Sequence, residues 1–537
     1  MTTITPTIHN PILKGFNADP SIVRAGDDYY IATSTFEWYP GVQIHHSRDL
    51  VHWRLIARPL NRATQLDLRG NPDSCGVWAP CLSHADGLFW LAYSDVKRRE
   101  GNFKDVHNYV VTAPNIEGPW SDPIYLNSSG FDPSLFHDDD GRKWVVNLVW
   151  DHCARPSKFG GILLQEYDPH ARKLIGTPVN IFRGSPLGLT EGPHLYRRGD
   201  YYYLITAEGG TGYRHAVSMA RSRSITGPYE LHPEWHVVTS RFFPETELQR
   251  GGHGDFVETQ GGETYVVHLT GRPIAGLNRS PLGRETAIQK ANWDEDGWLR
   301  LCGDPLEPKV LVPAPNLPIH PFPNEAQRHD FDSASLPDPF QWLRTPFPER
   351  IFSLDARAGH LRLIGRESVG SWFEQALVAR RQTAFSYNAE TVVEAHPTGY
   401  QQMAGLIAYY NRCAFHYLAL TFDEKAGTCL HIFSCLGDWP DGRLTVALEE
   451  PVSVPQDQPI RLRLEVRDCA LRFFFAFGST AWTRIGPVLD ASLLSDEVGQ
   501  GAHGNFTGAF VGMAANDLSG QAMVADFDYF DYQDVVA

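Results

Sequence analysis

The chain has 537 residues and a mass of 60.2 kDa, too long for one ordinary domain and enough for two to four at roughly 150 residues each. Hydrophobic residues at 42% and charged residues at 20% exclude a disordered chain. Lys+Arg 47 against Asp+Glu 63 leaves a net charge of −16, which argues against nucleic acid or an anionic membrane surface as the main partner.

Trp 14, Tyr 21 and Phe 29, with Gly 47 and Pro 38, point to an all-β chain rich in turns. No stretch approaches roughly 18 apolar residues, so no membrane span is expected. The start, Met1-Thr2-Thr3-Ile4-Thr5-Pro6, lacks a basic region and an apolar region, which makes the cytoplasm the expected compartment. The eight cysteines include no Cys-x-x-Cys pair and are expected to stay reduced.

Five segments repeat one pattern: a polar or acidic tip, a strand, a turn with Gly or Asp, then an aromatic-rich strand. The first runs from Asn17-Ala18-Asp19-Pro20 through the Gly26-Asp27-Asp28 turn to Tyr29-Tyr30-Ile31-Ala32. The second runs from Val77-Trp78-Ala79-Pro80 through Asp86-Gly87 to Phe89-Trp90-Leu91-Ala92. The third runs from Phe131-Asp132-Pro133-Ser134 through Asp138-Asp139-Asp140-Gly141 to Trp144-Val145-Val146. The fourth runs from Thr190-Glu191-Gly192-Pro193-His194 through Arg198-Gly199-Asp200 to Tyr201-Tyr202-Tyr203-Leu204. The fifth runs from His253-Gly254-Asp255 through Gly261-Gly262 to Tyr265-Val266-Val267.

Tips at Asp19, Trp78, Asp132, Glu191 and His253 recur at near-equal intervals, each with room for four short strands. That spacing predicts a five-bladed β-propeller over residues 1–312. The proline-rich stretch 313–325 reads as a semi-rigid linker or strap. Alternating runs such as Thr391–Ala395 and Ile460–Val466 predict a β-sandwich over 326–537.

In a propeller the innermost strand of each blade starts at the channel mouth, so the tips converge. Asp19, Asp132 and Glu191 then bring three carboxylates to one funnel, although an isolated Asp-Pro is more often a turn former. Blades one and four are not neighbours in a ring of five, so Asp19 and Glu191 are expected to face each other, with Asp132 beside Glu191. Two facing carboxylates suit glycoside hydrolysis, one as acid and one as base. A third anion beside the acid raises its pKa. Asp255, two residues past its tip, reads as structural.

These motifs, with Gly15-Phe16-Asn17-Ala18-Asp19-Pro20-Ser21, Gly283-Arg284-Glu285-Thr286 and the C-terminal Ala525-Asp526-Phe527-Asp528-Tyr529-Phe530, resemble glycoside hydrolase family 43, in particular its two-domain β-xylosidases. The resemblance extends over nearly the whole chain. It implies a concanavalin-like, jelly-roll sandwich and an inverting mechanism: Asp19 as general base, Glu191 as general acid, Asp132 as the residue tuning and orienting the acid. Arg284 resembles the arginine that binds sugar hydroxyls and holds the base ionised.

Phe36, Trp78 and Phe131 resemble the subsite walls. Phe506, in Gly504-Asn505-Phe506-Thr507-Gly508, resembles a sandwich-domain loop residue that closes the pocket. His253 is expected to hydrogen-bond substrate or a central water. In some family members the equivalent histidine helps hold a hydrated structural Ca²⁺ on the propeller axis, and no other cofactor is implied. Close relatives are often homodimers or homotetramers.

The implied substrate is a xylooligosaccharide cut from its end, with α-L-arabinofuranosidase side activity open. The alternatives are a dedicated arabinofuranosidase and a non-catalytic carbohydrate-binding propeller. The segment between Pro273 and Gly283 is short, and loops there are expected to border the pocket and shape its subsites.

Overall fold

The computed structural model describes residues 6–153, 157–455, 458–498 and 505–535. The first five residues and Gly504 of the loop motif lie outside the described residues. Nearly all regular structure is β-strand, and the only helices among the described residues are two 3-10 turns, Pro348–Arg350 and Ala491–Leu493.

Five four-stranded antiparallel sheets form the N-terminal part. Their innermost strands are Ala18–Ala25, Gly76–Ala85, Ser134–His137, Glu191–Arg198 and Gln249–Glu258. Each is followed in sheet order by strands lying progressively outward, so the blades are simple meanders. All five expected turns join the first two strands of a blade. Asp86 and Gly87, for example, are both left-handed (φ 56° and 73°), the geometry a two-residue hairpin turn demands.

Burial follows position in the blade. Thr264–Gly271, second in blade five, is buried throughout, whereas the outer strand Lys173–Phe182 is mostly exposed. Asp255 joins blade five to blade one: its Oδ2 accepts from Ser21 Oγ (3.0 Å) and the Ile22 amide (2.9 Å). Asp255 is therefore a structural anchor. The strand Thr7–His9 pairs with Leu311–Pro313 and ties the chain start to the end of the ring.

No strand occurs from Leu311–Pro313 until Arg328–His329. The proline-rich stretch between them straps blade one. His320 donates its amide to Asp49 Oδ2 (2.8 Å), and the Arg54 guanidinium stacks 4.7 Å from the Phe322 ring centre.

The C-terminal part is a two-sheet sandwich. One sheet centres on Val524–Asp534 and Tyr387–Ala395; the other centres on Phe510–Asp517 and Gln402–Asn411. Tyr387–Ala395 and Ile460–Arg467 alternate buried and half-buried residues, as expected for strands packed on one face. Phe510–Asp517 is buried at every residue, because its sheet packs on the sandwich core and on the propeller. That sheet also takes a strand from the propeller: Trp38–Tyr39 of blade one pairs with Phe340–Leu343, and Trp38 stacks on Phe510 with ring centres 3.6 Å apart. The two domains are thus joined by backbone pairing and a shared aromatic core. All eight cysteines are free thiols.

Candidate active site

The mouth of every blade carries the same backbone irregularity. Asp19, Ala79, Asp132, Gly192 and His253 all have positive φ (54°, 33°, 56°, 55° and 42°). In blades one, two, four and five the pairing register slips around this residue, which marks a β-bulge. The next residue is Pro20, Pro80, Pro133 or Pro193 in the first four blades. Proline is tolerated there because a bulge needs no ladder donor.

This register corrects the sequence alignment of the tips. Asp19, Asp132 and His253 occupy the bulge itself, while Trp78 and Glu191 sit one residue ahead of it. Serines stitch adjacent mouths together. Ser34 Oγ donates to Asp19 Oδ2 (2.7 Å) and accepts the Ala79 amide (2.8 Å). Ser134 Oγ donates to the Pro193 carbonyl (2.5 Å).

The residues named from sequence meet in one cavity of about 350 Å³. Asp19, Phe36, Trp78, Phe131, Asp132, Glu191, His253, Arg284 and Phe506 all line it. Asp19 is buried, and burial alone would raise its pKa. Arg284, whose Nη1 lies 3.1 Å from Oδ1, His253, with Nδ1 at 3.7 Å, and the Ser34 hydroxyl together pull it below the usual carboxylate range. His253 is itself kept neutral by burial, its pKa pushed down to about 4.

Glu191 behaves oppositely. Burial, then Asp132, then Asp19 hold its carboxyl well above the usual value, against Arg284 and Lys104. Asp132 is also raised, by burial first and Asp19 second. The two do not compete equally for the proton. Asp132 Oδ2 accepts the Gly192 amide (3.0 Å), which favours its anion, and Glu191 has no such donor among the described residues. Of the two raised carboxyls Glu191 therefore holds its proton more firmly, while the surroundings of Asp19 favour its anion. His194 supports this division. Asp255 helps to raise its pKa to about 9 against the effect of burial, and its charge favours the Asp132 anion.

The four aromatic rings named from sequence pack on one another in the cavity wall. Trp78 meets Phe131 edge-on at 5.4 Å and Phe506 at 6.0 Å, while Phe36 lies 5.9 Å from Trp78 and 6.3 Å from Phe506. Phe506 comes from the sandwich, and its amide donates to Ser74 Oγ (3.1 Å). Sequence reasoning missed Arg99, Lys104, Trp150, Phe159, Leu189 and Thr211, which also line the cavity. They come from strand ends and loops outside the repeated tip pattern, so no periodic signal marked them. Lys104 Nζ stands 4.4 Å from the Trp150 ring centre, and burial pushes its pKa down to about 8.

Two expectations need correction or limitation. The segment 272–283 contributes nothing to the cavity lining. It docks on the sandwich instead, where Arg279 reaches Ser492 Oγ (2.6 Å) and Asp490 (3.2 Å). Ca²⁺ prefers six to eight oxygen ligands, so a cation held through His253 would have to keep most of its ligands as water. No group of three or more His, Cys, Asp or Glu is placed to hold a metal among the described residues. The Arg284 cation also lies beside His253 and Asp19.

Comparison with known proteins agrees with this architecture. Residues 8–299 match the model for "Glycosyl hydrolases family 43", and residues 328–533 match the "Beta xylosidase C-terminal Concanavalin A-like domain". The chain is 58% identical to "Xylosidase/arabinosidase 43B" of Humicola insolens over 99% of this chain and 98% of that one. It is 49% identical to "Beta-xylosidase" of Bacillus subtilis, covering 98% and 99%. The crystal structure of a xylan beta-1,4-xylosidase from Bacillus halodurans superposes with a TM-score of 0.96 at 53% identity, covering 98% of this chain and all of that one.

Proposed function

The chain belongs to glycoside hydrolase family 43, and from that premise we propose that it is an exo-acting β-1,4-xylosidase that releases D-xylose from the non-reducing end of xylooligosaccharides with inversion. The observation that carries this reading is the opposed surroundings of two carboxyls in one aromatic pocket: Asp19 beside Arg284, which lowers its pKa, and Glu191 buried near Asp132, which raises its pKa.

Asp19 acts as general base and takes a proton from the attacking water as its oxygen bonds to the anomeric carbon. Glu191 acts as general acid and donates its proton to the departing glycosidic oxygen. Asp132 keeps that proton on Glu191 until the bond breaks. Phe36, Trp78, Phe131 and Phe506 offer faces to the C–H surfaces of the sugar, while Arg284 and His253 offer polar groups to its edge. The sandwich residue Phe506 stands over the propeller mouth and limits the pocket to a chain end.

A second substrate, α-L-arabinofuranoside, is favoured by the Humicola insolens relative, whose name joins both activities. The test is hydrolysis of xylobiose with NMR detection of the first anomer released, run beside 4-nitrophenyl α-L-arabinofuranoside. Early α-xylose is the expected result. Early β-xylose would mean retention and remove Asp19 as base. Arabinoside cleavage without xylose release would make arabinofuranosidase the primary activity. Silence on both would return the fold to a binding module.

A further inference from the structure

A second cavity, of about 520 Å³, lies between the propeller and the sandwich. Leu13, Lys14 and Asn17 line it, only a few residues from Asp19 in the catalytic pocket. Its walls carry Lys14, Arg54, Arg58, Arg380 and Arg381 against two carboxylates, Glu325 and Asp338. None of these residues lines the catalytic pocket.

The cations are only partly matched by the protein: Glu325 and Asp338 act on Arg58, and Arg381 stands over the Phe16 and Phe510 rings. Arg381 is only 7% exposed. Its Nε donates to the Phe16 carbonyl (2.5 Å) and Nη1 to Gln341 Oε1 (2.6 Å), and Nη2 has no hydrogen-bond partner. Arg58 donates Nη2 to Gln43 Oε1 (2.9 Å) and to the Asp338 main-chain carbonyl (2.6 Å), and its Nε is unpartnered. Neither guanidinium has an ion pair with a carboxylate among the described residues. Arg380, also 7% exposed, pairs with Glu325 (3.1 Å) through Nη1 and leaves its own Nε unpartnered. The buried His45 ring faces the same cavity with Nδ1 unpartnered.

A buried cation without a counter-charge is unfavourable, and like charges nearby make it worse. The crowding is visible in the neighbours. Burial, Arg381 and Arg58 push His45 down to about 3, and burial pulls Arg58 down to about 10. Five cations against two carboxylates leave the cavity wall with a surplus of positive charge, which a bound anion would offset.

We infer that this cavity is an oxyanion site that takes one phosphate group, free or on a sugar phosphate, between Arg58 of the propeller and Arg380 and Arg381 of the sandwich. The forked guanidinium edges suit the tetrahedral oxygens of phosphate. The surplus of positive charge favours a dianion over a carboxylate. Trp53 and Phe322 in the same wall give a sugar remainder apolar faces to lie on. Because the two domains each supply part of the grip, the ligand clamps the interface that carries Phe506 to the catalytic pocket.

The test is thermal unfolding of the full chain in millimolar inorganic phosphate, with sodium chloride at matched ionic strength as reference. Ligand that binds only the folded state raises the midpoint along a saturating curve. That rise is expected with phosphate, is expected to be lost in Arg58→Gln, and is expected to weaken several-fold in Lys14→Gln. Lys14 is exposed, so the second variant decides the matter if the first fails to fold. The rise should persist in Arg284→Ala. Its loss there would move the anion to the catalytic pocket and overturn the inference. So would a rise that chloride matches, or one unchanged in Lys14→Gln and Arg58→Gln. Glucose 6-phosphate saturating at lower concentration than inorganic phosphate would identify a sugar phosphate as the ligand, and the reverse order would identify the free ion.

Discussion

Arg284 and Phe506 lie on different domains and share one hydrogen-bonded contact. Arg284 donates both Nε (2.9 Å) and Nη2 (2.7 Å) to the Phe506 carbonyl while Nη1 holds Asp19 Oδ1 at 3.1 Å. Its guanidinium also stands 5.2 Å from the Phe506 ring centre and 5.0 Å from that of Phe36. One side chain therefore fixes the charge of the proposed base and the position of the loop that closes the pocket. The preceding residue makes this approach possible. Gly283 has φ +67°, and a Cβ there would fall 1.8 Å from the Thr507 carbonyl oxygen.

Replacing Arg284 by alanine removes both functions together. Asp19 stays buried but loses the largest influence pulling its pKa down. The folded-state pKa of the base then rises, so the acidic limb of the kcat/KM profile should move to higher pH. Charge-assisted hydrogen bonds are worth about 1.5–3 kcal/mol each, so kcat/KM at the optimum should fall by at least tenfold. A pH profile on xylobiose checks both. A fall in rate with an unmoved acidic limb would leave Arg284 as a sugar-binding residue only.

Asp132→Asn tests the other limb. The anion at Asp132 raises Glu191, and its removal lets the acid ionise at lower pH. The basic limb of the profile should therefore shift downward, narrowing the active window from above. Steady-state kinetics across pH measures this directly, and a basic limb identical to that of the parent enzyme would reject the tuning role.

The fold was legible because blades repeat. Five tips at near-equal intervals, each followed by an aromatic strand, could only be satisfied by stacking around an axis. The acids were legible for the same reason, since equivalent tips must converge. What escaped was anything without a repeat. Trp78 and Glu191 align with Asp19 by eye, yet the bulge at Ala79-Pro80 and Gly192-Pro193 shifts them by one residue, and only pairing register reveals a bulge. Lys104 and Trp150 enter from a loop and a strand end, where hydropathy carries no period. Trp38–Tyr39 is too short to show alternation, although it carries the backbone pairing between domains. The segment 272–283 lies outside the cavity lining, a placement that length alone does not give because it does not say which surface a loop lies on.

Glu191→Ala should separate substrates by their leaving groups. Cleavage of xylobiose needs a proton on the departing oxygen, so removal of the general acid should cost roughly 10²–10⁴-fold in kcat. An aryl xyloside whose phenol departs as an anion at assay pH needs no such proton and should lose far less. Comparing kcat for xylobiose and 2,4-dinitrophenyl β-D-xyloside measures the gap. Equal losses on the two substrates would show that Glu191 supports the site without donating the proton.

Gly192 is the point at which the backbone next to the proposed acid, Glu191, meets His253, the neighbour of the proposed base. It lies in the left-handed region at φ +55°, and a Cβ built on it would come within 2.9 Å of both Cε1 and Nε2 of His253. Gly192→Ala should therefore carry two costs. The left-handed backbone costs about 1–2 kcal/mol for a residue with a side chain, and the clash drives His253 away from Asp19. Denaturant unfolding should read the first cost, and kcat/KM on xylobiose should fall by more than stability alone explains. The two costs come apart in a double-mutant cycle. In the Gly192→Ala background, His253→Ala removes the clash, so it should reduce kcat/KM by a smaller factor than it does in the parent enzyme. Strictly additive losses would mean that His253 was never displaced and that the glycine serves the backbone alone.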